Sequence, residues 1–180
     1  MSRRYVVLDR DGTINLDSAS FIKSADEWIP LPGSLEAIAL LNRHGFAVVV
    51  ISNQSGVGRG LFDPATLDAM HAKMRRLAAA AGGSIEAVYV CPHDPEQGCD
   101  CRKPKPGLFL KFAADFGADL TEVYAVGDSL RDLQAAEAVG AKPILVKTGK
   151  GADTFAKHPD LLCPIFDTLY DAAHFIVSQS

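Results

Sequence analysis

The feature that most constrains the fold is a regular alternation between short apolar runs and segments with helical spacing. Apolar, largely β-branched runs predict five strands, at residues 4–9, 46–52, 85–90, 122–128 and 143–147. Helical spacing, with cap residues at several ends, predicts five helices, at 33–45, 63–81, 107–117, 130–139 and from about 168 onward. Strands that alternate with helices favour a parallel sheet covered on both faces. We therefore predict an α/β fold built on a doubly wound parallel sheet.

Length and composition set the limits of this prediction. The chain has 180 residues, of which 48% are hydrophobic, so it can bury a core, and we expect a single domain over residues 1–180. The net charge of −4 is spread without an acidic or basic block and gives no indication of a nucleic-acid or membrane partner. No apolar run is long enough to span a membrane, and the N-terminus lacks the apolar segment of a signal peptide. We expect a cytoplasmic protein, and a monomer because no apolar surface stripe marks an obligate dimer.

Carboxylates follow two of the predicted strands, at the edge of the sheet where ligands bind in this architecture. Asp9 and Asp11 come at the end of the first strand, and Asp128 ends the fourth. A solvated loop would explain Asp9 and Asp11 alone, but a third carboxylate from a neighbouring strand makes an oxygen site suited to Mg²⁺. At such a site Asp9 could attack phosphorus, and Asp11 could act as general acid and then as general base.

Two further residues have the chemistry to hold a phosphoryl group. Ser52 ends the second strand and, with the amide of Asn53, can donate hydrogen bonds, although a serine at a strand end is more often a helix cap. Lys103 can place a cation against the phosphate and Asp9, although a lysine beside prolines is usually solvated. Their combination with the carboxylates predicts phosphoryl transfer.

Three of the four cysteines lie in the segment 91–101, where Cys91, His93, Cys99 and Cys101 form the pattern C-x-H-x₅-C-x-C. Three thiolates and one imidazole match a closed tetrahedral zinc site, which leaves no open position for catalysis. Buried cysteines or a redox pair are the alternatives, but neither gives His93 a task. We predict a structural Zn²⁺ that holds a substrate-binding loop. Cys163, far from this loop, is predicted to be a small buried hydrophobic residue.

Four motifs, DRDGT, SNQSG, the lysine of RKPKPG and GDSLRD, occur in the order that is typical of the haloacid dehalogenase-like phosphatases, and the chain resembles that family over residues 5–147. The resemblance implies a Rossmann-like fold, Mg²⁺ dependence and a phospho-aspartate intermediate. It makes Asp9 the nucleophile and Asp11 the general acid/base. Asp9, Asp128 and the backbone carbonyl of Asp11 would be the Mg²⁺ ligands, while Asp132 would support the metal site without binding directly. Ser52 and Lys103 would stabilise the phosphoryl group.

The cysteine loop, together with DRDGTIN and SNQSG-x-x-RG, resembles one branch of the family, which removes the 7-phosphate of a heptose bisphosphate in the synthesis of lipopolysaccharide precursors. This branch is essentially capless, so the zinc loop would shape the pocket. The resemblance implies substrate contacts, with Arg102 on the retained phosphate, and less distinctively Asp17 and Ser20. The full set of implied contacts is Asn53, Gln54, Ser55, Arg102, Asp17 and Ser20. Arg59 fits a solvated loop cation equally well.

Two alternatives remain open at the level of sequence. Histidinol phosphate is the other substrate implied by the pattern, and it lacks a second phosphate for Arg102 to hold. A zinc-stabilised phosphosugar-binding module without catalysis belongs to a different class of protein. The intact set of Asp9, Asp11 and Asp128 argues against that second alternative.

Overall fold

The computed structural model describes residues 2–180, and in this range it contains one six-stranded sheet with helices on both faces. The strands are β1 (Arg4–Leu8), β2 (Phe46–Asn53), β3 (Ala87–Cys91), β4 (Tyr124–Gly127), β5 (Lys142–Val146) and β6 (Ile165–Phe166). The helices are α1 (Ser34–Arg43), α2 (Ser55–Gly58), α3 (Pro64–Ala80), α4 (Gly107–Phe116), α5 (Leu130–Ala138), α6 (Gly151–Lys157) and α7 (Leu169–Ser178).

The sheet is parallel throughout, with the strand order β3-β2-β1-β4-β5-β6. The chain builds outward from β1 to β3 and then returns to β4 on the other side of β1. The order therefore reverses between β1 and β4, and a ligand crevice is expected beyond the carboxyl ends of these two strands. The predicted doubly wound parallel sheet is confirmed.

The core has two parts, one on each face of the sheet, because successive side chains of a strand point to opposite faces. Val6 and Leu8 of β1 belong to a cluster that includes buried residues of α1, α3 and α7. Tyr5 and Val7 belong to the opposite cluster, which includes residues of α4 and α5. Both faces of β1 are thus buried, which explains why its sequence is a continuous apolar run.

The five predicted strands and five predicted helices are present, with ends that differ by a few residues. The cap prediction for α3 is confirmed, because the Asp63 carboxylate accepts a hydrogen bond from the Thr66 amide at 2.8 Å. The sequence did not indicate α2, α6 or β6, since the first and last are very short and α6 has little apolar spacing. Cys163 is only partly buried, so the prediction of a buried residue was wrong. It lies in the loop before the edge strand β6.

The segment between β1 and α1 packs into the core and does not form a separate cap. Ile14 and Trp28 are fully buried within the first cluster. Asn15 forms isolated bridges to Asp11 and Pro30, which hold the segment against the end of β1. Among residues 2–180, no helix is long and apolar enough to cross a membrane.

Candidate active site

A polar cavity of about 280 Å³ opens beyond the carboxyl ends of β1, β2 and β4, at the reversal of strand order. Nearly all of the predicted catalytic and substrate-binding residues line it. They are Asp9, Asp11, Asp17, Ser52, Asn53, Gln54, Ser55, Arg102, Lys103 and Asp128. Ser20 is the exception: it is exposed and lies outside the lining, where its neighbours Ser18 and Ala19 contribute instead.

Lys103 is buried at the centre of the site, with its ammonium group between two carboxylates. Its Nζ lies 3.0 Å from Asp9 Oδ1 and 2.7 Å from Asp132 Oδ1, and it donates to the Ile51 carbonyl at 2.7 Å. Burial opposes its charge, but the two carboxylates outweigh that effect and raise the pKa of Lys103. The alternative of a solvated lysine is therefore excluded by its position.

The end of β2 fixes the backbone at Lys103. The Lys103 amide donates to Asn53 Oδ1 at 3.0 Å, and Asn53 Nδ2 donates to the Lys103 carbonyl at 3.1 Å. Next to this pair, Ser52 Oγ accepts a hydrogen bond of 2.8 Å from Gln54 Nε2. Because Ser52 caps no helix here, its hydroxyl is part of the cavity wall.

Three carboxylates meet at the β1–β4 junction, where oxygen atoms of Asp9, Asp128 and Asp132 lie within 4.8 Å of one another. Burial, with the nearby Asp132 charge, raises the pKa of Asp9 well above its usual range, although Lys103 opposes this. The same two causes raise the pKa of Asp128 to about 6. One lysine does not balance three buried carboxylates, so the donor set fits a hard divalent cation.

Two of these carboxylates, Asp132 and Asp128, have different hydrogen-bond partners. Asp132 is engaged on both oxygens, by Lys103 on Oδ1 and by the amide and hydroxyl of Ser129 on Oδ2. Asp128 accepts a 2.8 Å bond from the Lys150 amide, and a Cβ at Gly12, whose φ is +83°, would collide with its carboxylate. Glycine is required at Gly12 by both the close approach and the positive φ.

The Asp11 side chain points into a separate network, away from the group of three carboxylates. Its Oδ1 accepts from Arg10 Nε at 2.9 Å and from Asn15 Nδ2 at 2.9 Å, and its Oδ2 accepts from Gln54 Nε2 at 3.1 Å. Burial alone would raise the pKa of Asp11, but the Arg10 guanidinium and these hydrogen bonds outweigh it and lower the pKa.

The lining of the cavity also contains four further cationic side chains. Arg59, Arg102, Arg131 and Lys150 all line it. Arg102 Nη1 is buried and has no hydrogen-bond partner, and partial burial, with repulsion from Arg131 and Arg59, lowers the pKa of its guanidinium. Arg59 stacks over the Phe21 ring at 5.6 Å and lies 3.2 Å from Asp94 of the cysteine loop, so it is not a freely solvated cation.

Three site residues were missed from the sequence: Arg10, Arg131 and Lys150. The sequence around Arg131 and Lys150 does not indicate a role in the site, because a cation in the first turn of a helix or in the loop before one is usually solvated. The sequence around Arg10 does indicate one, since this residue lies between two carboxylates at the end of a buried strand. A buried arginine destabilises the fold unless a carboxylate pairs with it, so this position predicts an ion pair.

The four predicted zinc ligands come together at the end of β3. The Sγ atom of Cys91 lies 3.5 Å from that of Cys99 and 2.7 Å from that of Cys101, and His93 Nδ1 lies 3.4 Å from Cys91 Sγ and 3.2 Å from Cys101 Sγ. All four cysteines of the chain are free thiols. Burial and a hydrogen bond with Cys101 raise the pKa of Cys91 to about 12. These ligand atoms all lie within 4.8 Å of one another, and three soft sulfurs and one nitrogen at such spacing can hold a metal ion.

Comparison with known proteins agrees with this geometry. A family model described as HAD-hydrolase-like matches residues 100–172. Relatives at about half identity over nearly the whole length place the chain, as a whole, in the same group. The chain belongs to the haloacid dehalogenase-like hydrolases.

Three similar proteins of that family are described as phosphatases of a heptose bisphosphate. A D-glycero-beta-D-manno-heptose-1,7-bisphosphate 7-phosphatase of Pseudomonas aeruginosa is 53% identical, over 94% of this chain and 95% of that protein. One of Neisseria meningitidis serogroup A is 48% identical, over 98% and 96%. A crystal structure of the D,D-heptose 1,7-bisphosphate phosphatase of Bordetella bronchiseptica, complexed with magnesium and phosphate, matches with a TM-score of 0.95 and 48% identity, over 98% of this chain and 99% of that one.

Proposed function

We propose that this protein hydrolyses the 7-phosphate of D-glycero-β-D-manno-heptose 1,7-bisphosphate and retains the 1-phosphate. The observation that carries the proposal is a single cavity with two places for an anion. Lys103 lies beside Asp9 at one of them, and at the other Arg102 has a buried nitrogen without a partner. The names of the similar proteins support the choice of sugar.

In the first half-reaction an oxygen of Asp9 attacks phosphorus, and the bond from phosphorus to the sugar oxygen breaks. Asp11 gives a proton to that oxygen, so the sugar leaves as an alcohol and Asp9 becomes an aspartyl phosphate. The ammonium group of Lys103 and the hydroxyl of Ser52 stabilise the charge on the transferring phosphoryl group.

In the second half-reaction water attacks the aspartyl phosphate and loses a proton to Asp11. The lowered pKa of Asp11 favours the carboxylate form that this step requires, and it works against the protonated form that the first half-reaction requires. The products are phosphate and the regenerated Asp9 carboxylate. One acid-base group thus serves both half-reactions, as it must because the first step consumes the proton that the second returns.

Two metal ions belong to the proposal. Asp9, Asp128 and the backbone carbonyl of Asp11 would hold Mg²⁺, which neutralises charge on the phosphate oxygens. Cys91, His93, Cys99 and Cys101 would hold a structural Zn²⁺. These four residues would hold the second ion as a closed site, and the ion would order the loop that ends in Arg102 and Lys103. We also propose a cytoplasmic location, because cysteines that form no disulfide fit a reducing compartment.

The test is phosphate release in Mg²⁺ from the heptose bisphosphate and from histidinol phosphate. We expect a strong preference for the bisphosphate, because only it has a second anion for Arg102. A preference for histidinol phosphate would replace the proposed substrate with the alternative.

Asp9→Asn tests the chemistry itself, because a neutral amide preserves shape and cannot attack phosphorus. We expect no measurable turnover and an unchanged fold. Activity within tenfold of the wild type would remove Asp9 from the role of nucleophile, and an inactive wild type would favour the binding module.

A further inference from the structure

Arg10 is a fully buried cation for which the proposed function has no task. It lies between the two aspartates of the first motif, and its side chain has no exposed surface. A buried charge strongly destabilises a fold unless it is paired well. Its position on the far side of Asp11 keeps it out of the cavity lining, so it does not bind substrate.

The guanidinium group makes a fork against the side of Asp11. Nε donates to Oδ1 at 2.9 Å and Nη2 lies 3.3 Å from Oδ2, while Nη2 also donates to Gln54 Oε1 at 3.0 Å. Gln54 in turn donates to Asp11 and to Ser52. With Asn15 on Oδ1, each oxygen of the Asp11 carboxylate faces two donors, so its orientation is fixed from both sides.

Residues of α3 hold the remaining nitrogen of the fork. Nη1 lies 3.3 Å from His71 Nε2 and 3.6 Å from Met70 Sδ. Because arginine can only donate, His71 must be neutral and accept through Nε2. Burial, together with the Arg10 and Arg75 charges, lowers the pKa of His71 to about 4, which agrees with a neutral ring. Helix α3 therefore supports Asp11 through Arg10.

We infer that Arg10 is a positioning residue, held by His71, that orients the Asp11 carboxyl group for proton transfer to the leaving oxygen. The inference rests on the proposed roles of Asp9 and Asp11. A simple structural ion pair with Asp11 would explain why Arg10 is buried. It would not explain why the same guanidinium group also donates to Gln54, whose amide contacts both Asp11 and Ser52.

The experiment compares kcat/KM for two substrates, since this parameter reports the steps up to departure of the leaving group. p-Nitrophenolate leaves without a proton, whereas the alkoxide of a primary alkyl phosphate requires one. The alkyl substrate is the heptose bisphosphate, or histidinol phosphate if that is the compound hydrolysed. The enzymes are wild type, Arg10→Met, Asp11→Asn and the double variant, with Arg10→Lys as the variant that keeps charge and loses the fork.

We expect Arg10→Met to lose about ten- to a hundredfold in kcat/KM on the alkyl phosphate and far less on p-nitrophenyl phosphate. In the Asp11→Asn background the same change should have little further effect, because the group that Arg10 orients is gone. Arg10→Lys should show the same substrate pattern with a smaller loss. If Arg10→Met does not fold, as judged by thermal unfolding, Arg10→Lys and His71→Leu carry the same comparison.

Equal losses on both substrates, or full additivity with Asp11→Asn, would overturn the inference and leave Arg10 as a structural residue. Failure of the proposed function looks different. In that case Asp11→Asn itself would show no dependence on the leaving group, or the wild type would hydrolyse neither substrate.

Discussion

At the scale of single residues, the adjacent cations Arg102 and Lys103 illustrate how neighbours in sequence acquire different tasks. Lys103 is buried, and its ammonium group contacts Asp9, Asp132 and a backbone carbonyl. Arg102 is half-buried at the cavity wall, and one of its nitrogens is unpaired. In the proposed function the first contacts the reacting phosphate, and the second is available to another group of the substrate.

Arg102→Ala is therefore expected to weaken hydrolysis of the heptose bisphosphate far more than that of a small monophosphate ester. Loss of a charge-assisted contact to the retained phosphate corresponds to about 1.5–3 kcal/mol, or roughly ten- to a hundredfold in kcat/KM. The measurement is kcat/KM for both substrates. Similar losses on the two substrates would mean that Arg102 does not set specificity.

The matched control is Lys103→Met, which keeps the buried stem and removes the ammonium group. It should severely reduce hydrolysis of both substrates, because the proposed partner of Lys103 is the phosphoryl group common to all of them. It should also lower stability, since Asp9 and Asp132 lose their buried counter-ion. An Arg102 variant and a Lys103 variant with the same substrate pattern would contradict the division of tasks.

The predictable part of the site consists of residues whose position follows from the strand order. Asp9, Ser52 and Asp128 end strands β1, β2 and β4 or follow them directly, and a parallel sheet brings such ends together. Arg131 and Lys150 reach the cavity from α5 and from the turn before α6, where the direction of a side chain depends on packing that sequence spacing does not specify. Ser20, which was inferred only from the resemblance and lies in a loop without periodicity, is outside the cavity lining.

At the scale of elements, the segment from β3 to α4 is a long loop with few apolar side chains of its own. Its order depends on the cysteine cluster, on the Asn53–Lys103 backbone pair and on Lys105, which donates to the Cys99 carbonyl at 2.6 Å. Hydrogen bonds and ion pairs supply part of this order, and a metal at the cluster is the expected further source.

Cys99→Ser is expected to loosen this loop and to weaken substrate binding more than it disturbs the sheet. Purified wild type should contain about one zinc per chain and the variant markedly less. Hydrogen exchange should increase in residues 92–106 and remain slow in β1 and β2, whose amides are in the centre of the sheet. Wild type without zinc that is fully active, with reactive thiols, would defeat the structural role of the metal.

At the scale of the whole molecule, the carboxylates of the site lower the stability of the fold. The elements that form the core on both faces of the sheet also bring Asp9, Asp128 and Asp132 together in a buried place. The resulting repulsion and burial disfavour the ionised carboxylates, so the folded state without a divalent cation is less stable than its packing would allow. A cation that binds only the folded chain returns that stability.

Asp128→Asn separates these two effects. The pKa of Asp128 is about 6 in the folded protein, above the value of about 3.9 for an aspartate in an unfolded chain. Stability is therefore lost as the pH rises between these two values, and the full loss is present at pH 7. In chelator at pH 7 the amide should therefore stabilise the metal-free protein by about 1–3 kcal/mol, or a rise of several degrees in Tm. The Lys150 amide still finds an acceptor in the asparagine oxygen, so no hydrogen bond need be lost.

Added Mg²⁺ should raise the Tm of the wild type and leave that of the Asp128→Asn variant almost unchanged, while the activity of the variant is lost. A variant that melts below the wild type in chelator would show that the Asp128 carboxylate does not destabilise the metal-free fold. A variant that keeps the full Mg²⁺ shift would show that Asp128 is not a ligand of the cation.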